Sequence, residues 1–327
     1  MTLRELNRTL LLRQMLLERK RISPVKAVTK LVALQAQYAP SPYVALWSRL
    51  EGFRKEQLTE NDGIVRAGTL RGTLHVMTRD DYPSIVAAYI ESRRGRTEGL
   101  GVDIDALLRA FSDRPFTRDE VNEIAVRVLA TDDEWTIAFA LRALPFTRVG
   151  VVGPWPHTKP PPSRPWTDPL PDAQEASTRV VRAYLAGYGP ASRDDVEQFT
   201  GFRMRQIDPA LESLVERDGL YDVPHAPLAS GKERAPVRFL PAFDSMILAH
   251  RDRSRIVPPE YMEVVFNKKN ATTKNTFTVD GFVAGAWRIE KRKLVVEPFA
   301  PLPLKWRREV DAEGERLLAW YLDQGSD

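Results

Sequence analysis

Hydrophobic positions along the chain follow two rhythms. Up to about residue 235 they recur three or four apart, the spacing that lines one face of a helix. Beyond that point they alternate, as in half-buried strands. Within the first rhythm, helix starts are built alike. Residues 116–121 read FTRDEV and 191–196 read ASRDDV, with Thr117 and Ser192 as N-caps. Glu120 and Asp195 follow at the capping-box position. Residues 23–28 read SPVKAV, with Ser23 as cap and Pro24 at the first helical position, where no N–H is missed. A helix, a break, a second helix and a strand follow each start. In the first case these are PVKAVTKLVALQ, YVALWSRLEGF and TLRGTLHVM. In the second they are VNEIAVRVLA, WTIAFALRAL and FTRVGVVG. In the third a helix from Ser192 leads through TGFRM to IDPALESLVERD and GLYDV. That order is the order of a winged helix, and its recurrence predicts a tandem array.

Between the second and third units, PWPHTKPPPSRPWTDPLP holds eight prolines in eighteen residues. Such a stretch cannot continue a helix or a central strand, so a linker or surface strap is expected. The alternating segments VRFLPAFD, NTFTVD, GFVAGAWRIE and KLVVEPF predict strands, with Asp280-Gly281 as a hairpin turn. A last helix is expected over roughly 305–323, with Val310, Leu317, Leu318 and Tyr321 available for packing. The predicted fold class is α+β. Winged-helix units are expected at 1–90, 91–153 and 173–234, with a linker at 154–172 and a β-rich region at 235–327 ending in the helix.

Composition narrows the chemistry. The chain has 327 residues, enough for two or three cores, and 43% of them are apolar. It has no cysteine, and its four histidines lie far apart, so no metal site and no cofactor are expected. No stretch is apolar enough for a signal peptide or a membrane span, which predicts a soluble, cytoplasmic protein with no membrane partner. Net charge is only +4, but basic residues cluster as RRGR (93–96), HRDRSR (250–255), NKKNATTK (267–274) and KWRR (305–308). Any one run reads as solvated surface; together they lean toward a polyanion.

Residues 31–53 read LVALQAQYAPSPYVALWSRLEGF, an apolar helical run carrying two amides. On a helix from Pro24, Gln35 shares the face of Val28 and Val32. Pro40 disfavours helix at the residue before it, so the helix is expected to end near Gln37. If the backbone opens there, residues two apart turn to one side, and Gln35 and Gln37 converge beside Tyr38, Tyr43 and Trp47. The bland alternative is a core amide cross-linking helices and a solvated helix end. Tyr43 and Trp47 themselves read as core.

LQAQYAPSPYVALWSRLEGF, with LRGTLHVM and the Asp80-Asp81-Tyr82 run after it, resembles the AlkZ/YcaQ alkylpurine DNA glycosylases, a winged-helix family. The likeness continues through FTRDEV, GPASRDDVEQFTG, LPAFDSMILAHRDRSRI and VDGFVAGAW, nearly the whole chain. It implies three tandem winged helices plus a β-rich part shaped into a concave DNA cradle. The family's catalytic motif, glutamine–apolar–glutamine or aspartate, maps onto Gln35, Ala36 and Gln37, the AlkZ-like form. Asp244 matches a family position that orders its loop. The resemblance also implies duplex DNA with alkylated purines as partner, a monomer, and a link to unhooking of interstrand crosslinks or self-resistance to DNA-alkylating antibiotics.

A glutamine amide does not titrate near neutrality and is a poor substitute for the carboxylates of most glycosidases. It can position water and offer a dipole, which suffices when the base is already cationic and leaves unaided. Phosphate contacts call for basic groups: Arg71, His75, Arg203, Arg205, Arg251, Arg253, Arg255, Lys268 and Lys269 are the candidates. Arg71, Thr73 and His75 are expected on one side of a wing strand, or equally on an ordinary surface strand. NKKNATTKNT is expected to form a hairpin that probes the duplex. The rival reading is a non-enzymatic winged-helix regulator in which both glutamines are structural.

Overall fold

The computed structural model describes residues 1–151, 153, 160–267 and 269–323. The anticipated N-caps are made. Thr117 and Ser192 each close a capping box, and Ser23 accepts from the Lys26 N–H with proline behind it. The chain opens with α1 (Leu3–Arg13) and α2 (Pro24–Leu31), a short strand β1 (Leu34–Gln35), then α3 (Ser41–Arg49) and α4 (Glu56–Thr59). Strand β2 (Ile64–Gly68), a 3-10 turn at Leu70–Gly72 and β3 (Leu74–Thr78) follow. Next come α5 (Tyr82–Gly99), α6 (Ile104–Arg109), α7 (Arg118–Leu129), α8 (Glu134–Leu141), β4 (Phe146–Arg148) and β5 (Ser163–Pro165). Helices α9 (Ala173–Tyr188), α10 (Arg193–Thr200) and α11 (Met204–Leu211) lead into the hairpin β6 (Val215–Arg217) and β7 (Leu220–Asp222).

The last part contains β8 (Arg238–Leu240), α12 (Ser245–Leu248), α13 (Met262–Val265) and the small hairpin of β9 (Phe266–Asn267) and β10 (Thr272–Thr273). Strands β11 (Thr276–Val279), β12 (Phe282–Glu290) and β13 (Lys293–Pro298) precede α14 (Leu304–Leu322). A four-stranded antiparallel sheet runs β13-β12-β11-β8. Its β11–β12 turn is the expected Asp280-Gly281, both at positive φ (46° and 83°), which matches the twist of the flanking strands. A five-stranded antiparallel sheet runs β1-β3-β2-β4-β5. The molecule is thus an α+β fold of many helices and antiparallel sheets.

Three expectations need correction. Helix α2 stops at Leu31, well before Gln37. Helix α11 stops at Leu211, and Val215 starts a strand because the following residues extend into β6. Within the described part of the proline-rich stretch, residues 163–165 form an edge strand, β5, where a missing N–H faces no neighbour; residues 154–159 lie outside the described residues.

Packing ties distant segments together. One core joins Leu10 and Leu11 of α1 to Ile85 of α5, Val180 and Tyr184 of α9, and Ile207 of α11. A second joins Leu31, Tyr43 and Leu46 to Phe239, Phe277, Trp287 and Leu317. Tyr43 and Trp47 are buried, as expected. A third core, with Leu107, Phe116, Ala125 and Leu144, belongs to α6–α8 and their neighbourhood alone. Arg49 on α3 makes a paired salt bridge to Asp244, 2.7 and 2.9 Å, with both side chains fully buried. Asp244 also caps α12 through the Met246 N–H, so it does order its loop.

Asp244→Ala would strand a charged guanidinium in the interior. We expect it to cost about 3–5 kcal/mol, read as a lower urea midpoint; a loss below about 1 kcal/mol would mean that the pair is not holding α3 to the β-rich part.

Candidate active site

The end of α2 shapes the site. Val32 has φ 63° and ψ −60°, and the Ala33 N–H donates back to Leu31 O at 2.7 Å. This is a positive-φ γ-turn, a strained conformation that is rare for a β-branched residue. The same Leu31 carbonyl accepts from Tyr188 Oη at 2.8 Å. Tyr188 is buried on α9, stacked on Tyr184 at 5.3 Å. The two helices meet closely enough that Gly187 has no room for a side chain: a Cβ there would sit 2.5 Å from Lys30 O.

After the turn the chain is extended. Gln35 pairs with His75 across the β1–β3 ladder, and the Ala36 N–H donates to Leu74 O at 2.7 Å. Opposite residues of an antiparallel pair share a face, so Gln35 and His75 lie on one side of the sheet. Gln37 lies two residues on, past the end of β1, and its Oε1 accepts from the Leu74 N–H at 3.5 Å. Gln35 is buried and Gln37 is exposed. Both amide oxygens therefore lie against the segment 71–74, one anchored inside and one open to solvent.

Arg71 is the anchor. It sits in the 3-10 turn at φ 57°, not on the strand, which corrects the expected alignment of Arg71, Thr73 and His75. Its Nη2 donates to Gln35 Oε1 at 3.4 Å, and its Nη1 donates to Phe199 O at the end of α10. Burial pulls the guanidinium down to about 10, which still leaves it charged at neutral pH. The turn lies tight on the next loop: a Cβ on Gly201 would be 3.3 Å from Arg71 N. Gly201 itself has φ 72°.

His75 is buried in the sheet rather than offered to a phosphate. Its Nδ1–H donates to Thr73 O at 3.0 Å. Burial first, and the charge of Arg71 second, push its pKa down to about 3, so the ring is neutral. Arg255 is buried too, donating to Pro190 O at 2.8 Å. These two expected phosphate contacts are turned inward. Arg253 is half-buried over the Phe266 ring at 4.2 Å. Arg205 and Arg251 are exposed but paired, to Glu91 and Asp194, each at 2.9 Å. Arg203 is exposed and donates Nε to Ser92 O at 3.1 Å. Lys269 is exposed in the β9–β10 hairpin, and Lys268 lies outside the described residues. The expected hairpin in NKKNATTKNT is thus formed. Among the described residues there is no cluster of three side chains suited to a metal, and no helix is long and apolar enough to cross a membrane.

Two features escaped the sequence. One is the γ-turn, because nothing in LVAL marks a valine for positive φ. The other is a stack of rings and guanidinium running inward from Trp135, which is 57% exposed on α8. Trp135 stacks on Phe139 at 5.4 Å, and Arg93 lies over Phe139 at 3.8 Å. The RRGR run was the available signal.

Comparison with known proteins places these elements in context. Residues 28–320 match the family model described as DNA glycosylase AlkZ-like. The interstrand DNA cross-link repair glycosylase of Streptomyces sahachiroi is 29% identical over 153 residues, 42% of this chain and 41% of that protein. The match thus spans less than half of that relative's length. The solved structure of Streptomyces sahachiroi DNA glycosylase AlkZ is similar with a TM-score of 0.78, over 98% of this chain and 96% of that one. At 20% identity that likeness speaks for the fold alone.

Tyr188→Phe removes one donor from the strained Leu31 carbonyl. It should lower stability by about 1–2 kcal/mol and increase amide exchange at Ala33 and Gln35; unchanged exchange would mean that the hydroxyl does not hold the turn. Burial also holds His250 neutral, at about 3. The unfolded chain binds protons at His75 and His250 below about 6.5 while the folded state does not. Their contribution is complete above that pH and drains as pH falls toward about 3. Ring resonances of both should stay fixed between about pH 8 and 5; movement in that window would show that water reaches them.

Proposed function

Since the chain belongs to the AlkZ/YcaQ family of winged-helix DNA glycosylases, we propose that it hydrolyses the N-glycosidic bond of cationic N7- or N3-alkylpurines in duplex DNA. The observation that carries this reading is that the side chains of Gln35 and Gln37 both reach the segment 71–74, the first tethered by Arg71 and the second open to solvent.

The chemistry follows from what amides can do. The carbonyl oxygen of Gln35 has two lone pairs; Arg71 takes one and fixes the side chain, and the other is free for water or sugar. Gln37 accepts and donates from the solvent side. Together they hold a water against C1′ and offer carbonyl dipoles to the positive charge that develops on the sugar. The water oxygen bonds to C1′ as the C–N bond breaks. The bonding pair leaves with the base, which turns from cation to neutral, and the water's proton passes to solvent. Neither amide changes protonation. An unmodified purine, which would leave as an anion, finds no acid here.

In this reading the order helix, helix, hairpin at 1–90, 91–153 and 173–234 forms three tandem winged-helix units. Together with the β-rich region 235–327 they make a concave seat for one duplex, bound by a monomer. Arg203, Arg205, Arg251 and Lys269 are exposed and available to its phosphates, and the β9–β10 hairpin reaches toward it. By extension from the relative's name, interstrand crosslinks through N7 are included among the substrates.

The test is duplex DNA bearing one N7-methylguanine, scored for an abasic site, beside a crosslinked duplex. Gln35→Ala/Gln37→Ala should lower excision by at least about a hundredfold with DNA affinity changed less than about threefold. Full excision by the double variant would remove the amides from the mechanism. The rate should show no titration assignable to either residue.

A further inference from the structure

At Arg71 the chain forms a cleft of about 320 Å³ between α5, α8 and the loop joining α10 to α11. Arg71 lines it, with Tyr89, Arg93, Arg96, Phe139 and Arg203. The sequence builds this basic wall from RRGR. Arg93 and Arg96 rise one turn apart on α5, and Arg203 lies alongside Gly95 between them. Arg93 is held flat by Phe139 at 3.8 Å and Tyr89 at 5.4 Å. Arg203 is held by the Ser92 carbonyl.

The carboxylate that would ordinarily neutralise this wall is engaged elsewhere. Glu91 pairs with Arg94 and Arg205, and Arg93, Arg96 and Arg203 form no ion pair among the described residues. Glu197, also at the cleft, lies 3.9 Å from Arg251. Two donors at the cleft, Arg93 Nε and Tyr89 Oη, are buried from solvent and have no hydrogen-bond partner among the described residues. Both atoms are closed off from the cleft surface, so the groups that face it are the arginines Arg93, Arg96 and Arg203. Planar guanidinium forks match a tetrahedral phosphate ester, an acceptor-only group.

We propose that this cleft is a subsite for one backbone phosphate of the DNA strand that enters the site, seated by Arg93, Arg96 and Arg203. Arg71 lines this cleft and also donates to Gln35, so the subsite and the amide share one side chain. The identity of the strand rests on the glycosylase reading; the subsite itself does not.

The experiment measures duplex affinity across a salt series for the whole protein and for Arg96→Gln, Arg93→Gln and Arg203→Gln. Arg96 is exposed, so its variant tests the subsite even if Arg93→Gln loosens the stack. Each variant should bind roughly tenfold more weakly, and the slope of log Kd against log salt should fall by about 0.9 for the lost contact. In parallel, neutral methylphosphonates are placed singly along each strand. One position should weaken the wild-type protein and have no further effect on Arg96→Gln. An unchanged slope in Arg96→Gln, or a methylphosphonate penalty that persists in the variant at every position, overturns the subsite. If slopes and scan behave as expected but no abasic site forms on N7-methylguanine, the glycosylase reading fails and the subsite stands. Normal excision with an unchanged slope and scan removes the subsite and leaves the glycosylase reading in place.

Discussion

One carbonyl oxygen governs the site. Leu31 O accepts from the Ala33 N–H across the γ-turn and from Tyr188 Oη on another helix. A β-branched residue at φ 63° costs on the order of 1–3 kcal/mol. Two hydrogen bonds and the burial of Val32 offset a cost of that size. Without the turn, α2 would run on, and residues 35 and 37 would diverge by about 200° around the helix. With it, the backbone straightens within three residues and joins β3, and both amides reach the segment 71–74. The arrangement of the two amides is therefore a consequence of backbone strain held in place from α9, a segment more than a hundred residues away in the chain.

That dependence explains which parts of the molecule cannot be separated. The first core sets α1 against α9, and the second sets α3 against the β-rich part, locked by Arg49 and Asp244. Trp287 Nε1 donates to Leu240 O and Thr276 O, which fixes β12 behind α3's partner strand β8. The helices α6–α8 differ: their core is their own, and the link to the rest runs through β4 on β2 and through α5. The site sits where the 3-10 turn after β2 meets the end of α10, so it is built on the inseparable part, while the arginine cleft borrows Phe139 from the self-contained part.

Local signals are legible wherever chemistry acts within a few residues. Caps at Ser23, Thr117 and Ser192, the Asp280-Gly281 turn and the proline-marked edge all depend on near neighbours, and each is formed. The motif glutamines stand out because amides in an apolar run need partners. What cannot be read locally is set by distant contacts. The helix end at Leu31 depends on Tyr188; the inward turn of Arg71 depends on the Phe199 carbonyl; the neutral state of His75 depends on the sheet that buries it. Alternation through Arg71 and His75 suggests a surface wing, whereas Arg71 lies in a 3-10 turn and His75 on a strand in the interior of a five-stranded sheet.

Charge poses a last question for the proposed chemistry. A site for cationic bases, with a sugar that becomes more positive as the bond breaks, gains nothing from a bare guanidinium at its floor. Arg71 is such a group, and burial leaves it charged. Its geometry limits the damage: one nitrogen is spent on Phe199 O and the other on Gln35 Oε1, and the residue also lines the arginine cleft. A phosphate seated among Arg93, Arg96 and Arg203 would cancel much of the remaining field, because opposite charges a few ångströms apart in a partly buried site interact by several kcal/mol. The amide then presents its dipole without the repulsion behind it. On this view the strand's own backbone is part of the electrostatics that lets a neutral side chain assist the departure of a charged base, and a damaged nucleoside lacking flanking phosphates would meet a less favourable site than the same lesion in DNA.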